Sequence, residues 1–402
     1  MKLSKISQII NESATLKLNE TFTILKNQGE PVIHLGGGEP KSLVPQTAVE
    51  SSCQFLEERV VRYSPSNGTK AMRQAVQQYT QQFYNTTVSL ENIIVSNGAK
   101  QSLMVAMQAI LDEGDEILFP APYWVSYPEM AKLIGAKPVS FRPANGSIIP
   151  TIDDIKQHCT NRTRAIIINS PNNPTGLRYP ESFIKEIIDY TKANNIYLIL
   201  DDIYHRLIFD NQELYDIYQD LGKENSHIIV INGVSKTYAM TGFRIGWGIA
   251  NKTLIKVMTK IQSHQTAGPS TLSQAGAIGV LNGQQDDVES LRTYLEHNRN
   301  VLIEELKTIP HLNITVPNGT FYSFIDFSYY NSDSSQLAMF LLEKAKVLVM
   351  PGIAFGVDGY LRLSFCGSTD ELVEGVQRIR WALDKESPKT IRIGNETVTR
   401  NW

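Results

Sequence analysis

The chain has 402 residues, with 38 basic and 41 acidic side chains and a net charge of −3. Mixed charge of this size argues against a nucleic-acid or anionic-membrane partner, which would favour a basic patch. The length suits one large domain plus a smaller one. Cys53, Cys159 and Cys366 stand far apart and outside any CxxC spacing, so reduced thiols are expected rather than a disulfide framework.

The N-terminal stretch MKLSKISQIINESATLKLNE alternates apolar and polar residues. It lacks the unbroken apolar run of a signal peptide, and no segment approaches the ~20 apolar residues of a membrane-spanning helix. A soluble cytoplasmic protein is expected. From residue 92 to 250, short apolar runs rich in β-branched residues read as buried parallel strands: 92–96, 116–119, 164–169, 196–200, 227–231 and 244–250. Helical stretches such as AKQSLMVAMQAILDEG and PESFIKEIIDYTKANN lie between them. This alternation predicts an α/β domain with a mostly parallel sheet. NGQQDDVES, at the junction that follows, reads as a solvated loop. Beyond residue 285 a long polar helix leads into short strands (NITV, TFYSFIDF, YLRLSF) and two helices near 334–345 and 369–384, the pattern of a smaller α+β domain. The predicted division is an N-terminal arm joined to the small domain (1–45), a large domain (46–285) and a small domain with a tail (286–402). The polar stretch after Asp384 reads as a tail or a late strand, with no assignable role.

Ligands of parallel α/β sheets bind at the C-terminal ends of the strands, and the polar motifs fall there. SNGAKQ (96–101) opens a helix after a strand, and Gly98 and Ala99 leave backbone N–H groups able to meet an anion; an ordinary strand-to-helix turn fits the same residues. NSPNNPTG (169–176) is either a plain turn or a set of amide donors held by prolines. LILDDIYHRL places Asp201 and Asp202 after a very apolar strand, where a carboxylate needs a cation unless it caps a helix; Tyr204 follows within reach of the same cleft. NGVSKTYAMTGFRIGW carries Lys236 among small residues and Arg244 eight positions on. A lysine held in a cleft loses its proton more easily and becomes a nucleophile; an arginine there grips a phosphate with two prongs.

In their order and rough spacing, Gly38–Glu39–Pro40, SNGAKQ, PYWVSYPE, NSPNNPTG, DDIYHRL, NGVSKTYAMTGFRIGW and YLRLSF resemble the fold-type I, pyridoxal-phosphate-dependent aminotransferases, most closely the bacterial aspartate aminotransferase branch. The resemblance runs from about Ser13 to about Leu383. It implies that Lys236 binds pyridoxal 5'-phosphate covalently and also serves as general acid and base. Gly98, Ala99, Lys100, Ser235 and Arg244 would hold the phosphate, and Asp201 would pair with the ring nitrogen. Asn173 and Tyr204 would bond the phenolic oxygen, and Trp124 would stack on the ring. Arg362, with a backbone N–H of Gly38 beside it, would clamp the substrate α-carboxylate. Tyr63 would reach the phosphate of a neighbouring subunit, implying a homodimer with shared active sites.

The implied reaction is a ping-pong transfer between an L-amino acid and a 2-oxo acid such as 2-oxoglutarate. The segment 13–21 resembles one that covers the active site, and Thr15 with Lys100 would meet a distal carboxylate, favouring acidic substrates. Aromatic or prephenate amination is the alternative, with Ile33, Tyr123 or Phe355 lining an apolar route. A lyase on the same fold would keep Lys236, Asp201 and Arg362. A regulator of this fold would carry an added DNA-binding domain; the charge and the absence of such a segment before Ser13 disfavour it.

Overall fold

The computed structural model describes residues 3–10 and 14–402, apart from the side chains of 14–17 and 145. Seven strands form the main sheet: β1 (Ile93–Asn97), β2 (Glu116–Pro120), β3 (Lys137–Phe141), β4 (Thr163–Asn169), β5 (Tyr197–Asp201), β6 (Ile228–Gly233) and β7 (Ile245–Ile249). Their order across the sheet is β1-β7-β6-β5-β4-β2-β3. All neighbours are parallel except β7, which runs antiparallel to both β1 and β6.

The strands are apolar on both faces because helices cover both. Ile166, Ile168, Leu198 and Leu200 enter one buried layer, while Ile167 and Ile199 enter the other. That is the period of two required of a strand sandwiched between helical layers. Helix Ala99–Ile110 packs on β7 in the second layer. Its start lies so close to that strand that a Cβ on Gly246 would stand 2.1 Å from the Ala99 nitrogen. Glycine is what admits the helix end there.

A second, antiparallel sheet has the order β9 (Met350–Pro351), β10 (Tyr360–Ser364), β8 (Tyr322–Asp326). Helices Asp286–Leu306 and Thr369–Leu383 pack together over it. Ile33–His34 pairs in parallel with Val347–Leu348, and Leu18, Ile33 and Leu35 share a buried core with β8 and β10 residues. The N-terminal segment is thereby fastened to the C-terminal sheet. Among the described residues no helix is long and apolar enough to cross a membrane.

The structure corrects several expectations. Strand β3 was not predicted: KPVSF sits at the sheet edge with Lys137 and Ser140 exposed and only Phe141 buried, so it lacks the apolar run of its neighbours. NITV makes only one isolated bridge, Asn313 to Asp326. The polar stretch at the junction is not simply a solvated loop. Helix Asp286–Leu306 begins within it, and the Gln285 side chain accepts from the Tyr238 hydroxyl (2.8 Å) while donating to the Gly283 carbonyl (2.8 Å). The stretch after Asp384 agrees with its late-strand reading and adds a second strand: β11 (Thr390–Ile393) and β12 (Glu396–Thr399) form a hairpin. Trp402 packs edge-on against Trp381, ring centroids 5.3 Å apart. The Arg400 guanidinium donates to the carbonyls of Trp381, Asp384, Lys385 and Ser387, closing the end of helix Thr369–Leu383.

Candidate active site

The register of the main sheet brings the motifs to one edge. Asn169 on β4 lies beside Asp201 on β5, and Asp201 beside Ile231 on β6. A cavity of about 980 Å³ opens there. Its lining includes Gly38, Ala99, Lys100, Trp124, Asn173, Asp201, Tyr204, Ser235, Lys236, Arg244 and Arg362. Of the fourteen residues predicted for the site, Gly98 lies behind this lining, and Tyr63 is fully exposed on its own chain. The Thr15 side chain lies outside the described residues. Of the three residues expected along an apolar route, only Phe355 lines the cavity; Ile33 is buried in the core.

Asp201 ends a fully apolar strand and does not cap a helix; a turn follows it. The Tyr127 hydroxyl donates to its Oδ2 at 2.6 Å, and Asn169 Nδ2 donates to its backbone carbonyl at 2.7 Å. Burial raises this carboxyl to about 6, against the opposing pull of the Tyr127 hydroxyl, the Ile203 N–H and the Lys236 charge. Asp202 points elsewhere, accepting from the Tyr218 hydroxyl at 2.7 Å, and burial lifts it to about 7.

Lys236 follows β6 at the same edge. Its Nζ donates to the Gly38 carbonyl at 2.6 Å. Crowding by protein lowers the amine to about 8; Glu39 opposes that shift, and Arg362 and Arg244 add to it. A lysine held there has a substantial neutral fraction near physiological pH, as a nucleophile or general base requires.

Arg244 adopts a left-handed backbone, φ 54°, and its Nη1 donates to the Thr241 carbonyl at 2.9 Å. Its guanidinium lies against Gly98: a Cβ there would stand 2.5 Å from Nη2, and the Gly98 φ of +83° already disfavours any side chain. Helix Ala99–Ile110 starts at this point with no side-chain cap. Arg244, the exposed Lys100 and an uncapped helix start therefore make a donor set suited to a phosphate.

Arg362 lies on β10, nearly fully buried. Nη1 donates to Asn173 Oδ1 at 3.0 Å and Nη2 to the Gly36 carbonyl at 2.9 Å. The guanidinium sits 4.2 Å from the Tyr322 ring centroid and 4.8 Å from that of Phe355. Its Nε is buried with no hydrogen-bond partner. Such an orphaned donor in a ligand cavity is matched by a planar carboxylate.

A family profile described as aminotransferase class I and II matches residues 30–379. The chain belongs to this family. Aspartate aminotransferase of Bacillus subtilis (strain 168) is 35% identical over 395 residues, covering 96% of this chain and all of the relative. A probable aspartate/prephenate aminotransferase of Aquifex aeolicus is 36% identical over 389 residues, covering 95% and 98%. Among solved structures, Thermus thermophilus aspartate aminotransferase with maleate superposes with a TM-score of 0.91 at 33% identity, over 95% of this chain and 100% of that one.

The sequence reading of this aminotransferase missed four residues that the structure brings to the site. Tyr127, three positions after Trp124 on helix Ser126–Leu133, holds Asp201; the helical spacing within PYWVSYPE was the available signal. Tyr322 underlies Arg362; its strand is buried on both faces, so no alternation singles it out. Glu39 accepts from Thr241 at 2.7 Å, and Cys366 Sγ donates to the Glu39 carbonyl at 3.0 Å; no sequence pattern announces these two contacts.

Asp201 carries a stability prediction for the aminotransferase without its cofactor. A carboxyl raised from 3.8 to about 6 binds its proton more tightly in the folded chain. Burying the ionised form therefore costs stability above pH 6, and that cost disappears below the ordinary aspartate range. The Asp201→Asn apoprotein is expected to be more stable at pH 8 by about 2–3 kcal/mol. In urea unfolding the advantage should close as pH falls from 6 to 4. An advantage equal at both ends would refute the cause given for the shift.

Proposed function

We propose that this aminotransferase moves the amino group between an acidic L-amino acid, aspartate first, and a 2-oxo acid such as 2-oxoglutarate, using pyridoxal 5'-phosphate. One observation carries the reading: a single cavity contains a lysine amine lowered to about 8, a buried carboxylate, and a guanidinium with an unpaired donor. The relatives named above are aspartate and aspartate/prephenate aminotransferases, and one solved structure carries maleate, a dicarboxylate.

The residues present fit the cofactor. Gly98, Ala99, Lys100, Ser235 and Arg244 would hold its phosphate, and Asp201, steadied by Tyr127, would face the ring nitrogen. Asn173 and Tyr204 would meet the phenolic oxygen, and Trp124 would cover the ring. When bound, pyridoxal 5'-phosphate supplies an aldehyde for the amino group and a ring that accepts electrons from the α-carbon. The protein does the rest. Arg362 fixes the substrate α-carboxylate with two parallel hydrogen bonds, beside a backbone N–H of Gly38, and so orients the α-C–H bond. Lys236 Nζ would take the α-proton and hand it to the carbon that bore the cofactor's aldehyde, two atoms along. Ionised Asp201 opposes a positive charge in a site where burial strengthens the attraction. Thr15 and Lys100 complete the reading toward a distal carboxylate.

Tyr63 reads as a contribution to a neighbouring subunit of a homodimer. Its full exposure, with exposed Val60 and Val61 just before it in the chain, supports that reading. Residues 46–285 serve as the cofactor-binding domain and 286–402 as the small domain, with residues 1–45 joined to the latter. A cytoplasmic location suits three free thiols and mixed charge.

The test is a half-reaction screen. Each amino acid is mixed with cofactor-loaded protein, and the visible band of the lysine-bound cofactor is followed. L-aspartate and L-glutamate should bleach it fastest. Faster bleaching by phenylalanine or tyrosine would move the assignment to the second reading, aromatic or prephenate amination, which Phe22 and Phe355 in the cavity wall favour. Release of pyruvate and ammonia from a cysteine-type substrate, without amino transfer, would point to a lyase.

A further inference from the structure

Three consecutive glycines, Gly36, Gly37 and Gly38, run along the cavity wall between the buried Leu35 and Glu39. They offer no side chain by which the segment could hold its own place. Its position rests on what fastens its two ends. The Leu35 end is tied to C-terminal strands: its N–H donates to the Leu348 carbonyl at 2.9 Å, and its carbonyl accepts from the Ser364 N–H at 2.6 Å. Arg362 Nη2 holds the Gly36 carbonyl at 2.9 Å.

The far end is fastened through Glu39, in two directions. Its backbone carbonyl accepts from Cys366 Sγ at 3.0 Å, two residues beyond the end of β10. Its side chain reaches the stretch that carries Lys236 and Arg244, where Oε2 accepts from Thr241 Oγ1 at 2.7 Å. Thr241 is itself held there, because Arg244 Nη1 donates to its carbonyl at 2.9 Å. A second link joins the same two segments, from Lys236 Nζ to the Gly38 carbonyl at 2.6 Å. That link requires a free ammonium. An amine committed to the cofactor aldehyde no longer offers it, and the Glu39–Thr241 bond is then the remaining one of the two.

Resting on the roles read above for Lys236 and Gly38, we propose that Glu39 is a positioning residue for amino transfer. Its bond to Thr241 fixes the glycine segment against the Lys236 stretch and so sets the Gly38 N–H beside the substrate α-carboxylate. Glu39 acts through Gly38 and not on the substrate. The bond needs an acceptor at position 39, not a charge. Glu39 also favours the charged form of Lys236, so the test must separate its charge from its bond.

Calorimetry of the cofactor-loaded protein with propanoate, which carries a carboxylate and no amino group, reads this without turnover. Thr241→Val and Glu39→Ala should each weaken propanoate about fivefold, the scale of one hydrogen bond partly open to water. The double variant should be no worse than either single one, because both remove the same bond. Glu39→Gln, which keeps an acceptor and loses the charge, should bind propanoate as the unaltered protein does. In turnover, Thr241→Val and Glu39→Ala should raise KM for the amino acid by a similar factor and leave kcat within about twofold. Losses that multiply in the double variant overturn the proposal, as does a loss in Glu39→Gln equal to that in Glu39→Ala. A weakening in Thr241→Val that Glu39→Ala does not share overturns it too. The half-reaction screen on the unaltered protein decides the amino donor by itself, and propanoate binding does not depend on which donor it finds.

Discussion

Lys236→Ala should still take up pyridoxal 5'-phosphate and should lose kcat by about 10⁴-fold or more. On the proposed reading the residue has two duties, covalent anchor and proton carrier, and neither Tyr204 nor Lys100 is suited to inherit both. Tyr204 is buried and its hydroxyl is held well above its ordinary range, so it is a poor base. Lys100 lies against Trp124, on the Arg244 side. Cofactor uptake, followed by equilibrium dialysis, should persist because Gly98, Ser235, Arg244 and Asp201 remain. Turnover within tenfold of the unaltered protein would remove Lys236 from the chemistry. Loss of cofactor binding together with loss of fold would be visible in thermal unfolding, and Lys236→Arg, which keeps the bulk and the charge, provides the second arm: folded, cofactor-binding and inactive.

Arg362→Lys should raise KM for the amino acid and lower kcat/KM by about 10²-fold, the equivalent of about 3 kcal/mol of charge-assisted hydrogen bonding. Charge is conserved in this variant; the planar fork is not. Arginine is held here by two fixed acceptors, Asn173 Oδ1 and the Gly36 carbonyl, and by the Tyr322 face. Those contacts fix the plane of the guanidinium and leave its buried Nε without a protein partner. An ammonium group on a flexible stem can satisfy one acceptor or the other but cannot present two parallel donors. The loss should be alike for aspartate and alanine, because both carry the α-carboxylate. An unchanged KM in the lysine variant would remove the clamp.

Much of this was legible in the chain because buried parallel strands are written as apolar runs. The runs ending at Asn169 and Asp201, and the run leading to Lys236, announced both the sheet and its functional edge. Direction was not legible: RIGWGIA is as apolar as its neighbours, yet β7 runs against them. Edge position erased the signal for β3, whose outward residues are polar because water, not a helix, covers them. NITV shows the opposite failure, an alternating run that finds one bridge and remains mostly solvated. The C-terminal hairpin did leave a mark, Gly394–Asn395 between TIRI and ETVT, a turn dipeptide between β-branched runs. At the site, residues carried by their own motif were legible as members of the cavity lining, as with Lys236 and Arg362. Residues that act across long sequence separations were not. Tyr127 meets Asp201 over 74 positions, and Glu39 meets Thr241 over 202; no local pattern encodes such meetings.

The central claim is that Lys236 is the amine that carries the cofactor. Borohydride reduction of the loaded protein, followed by proteolysis and mass spectrometry, tests it most directly. The account predicts a single pyridoxyl-phosphate adduct, on the peptide containing Lys236. An adduct on Lys41 or Lys100 with Lys236 unmodified would contradict it.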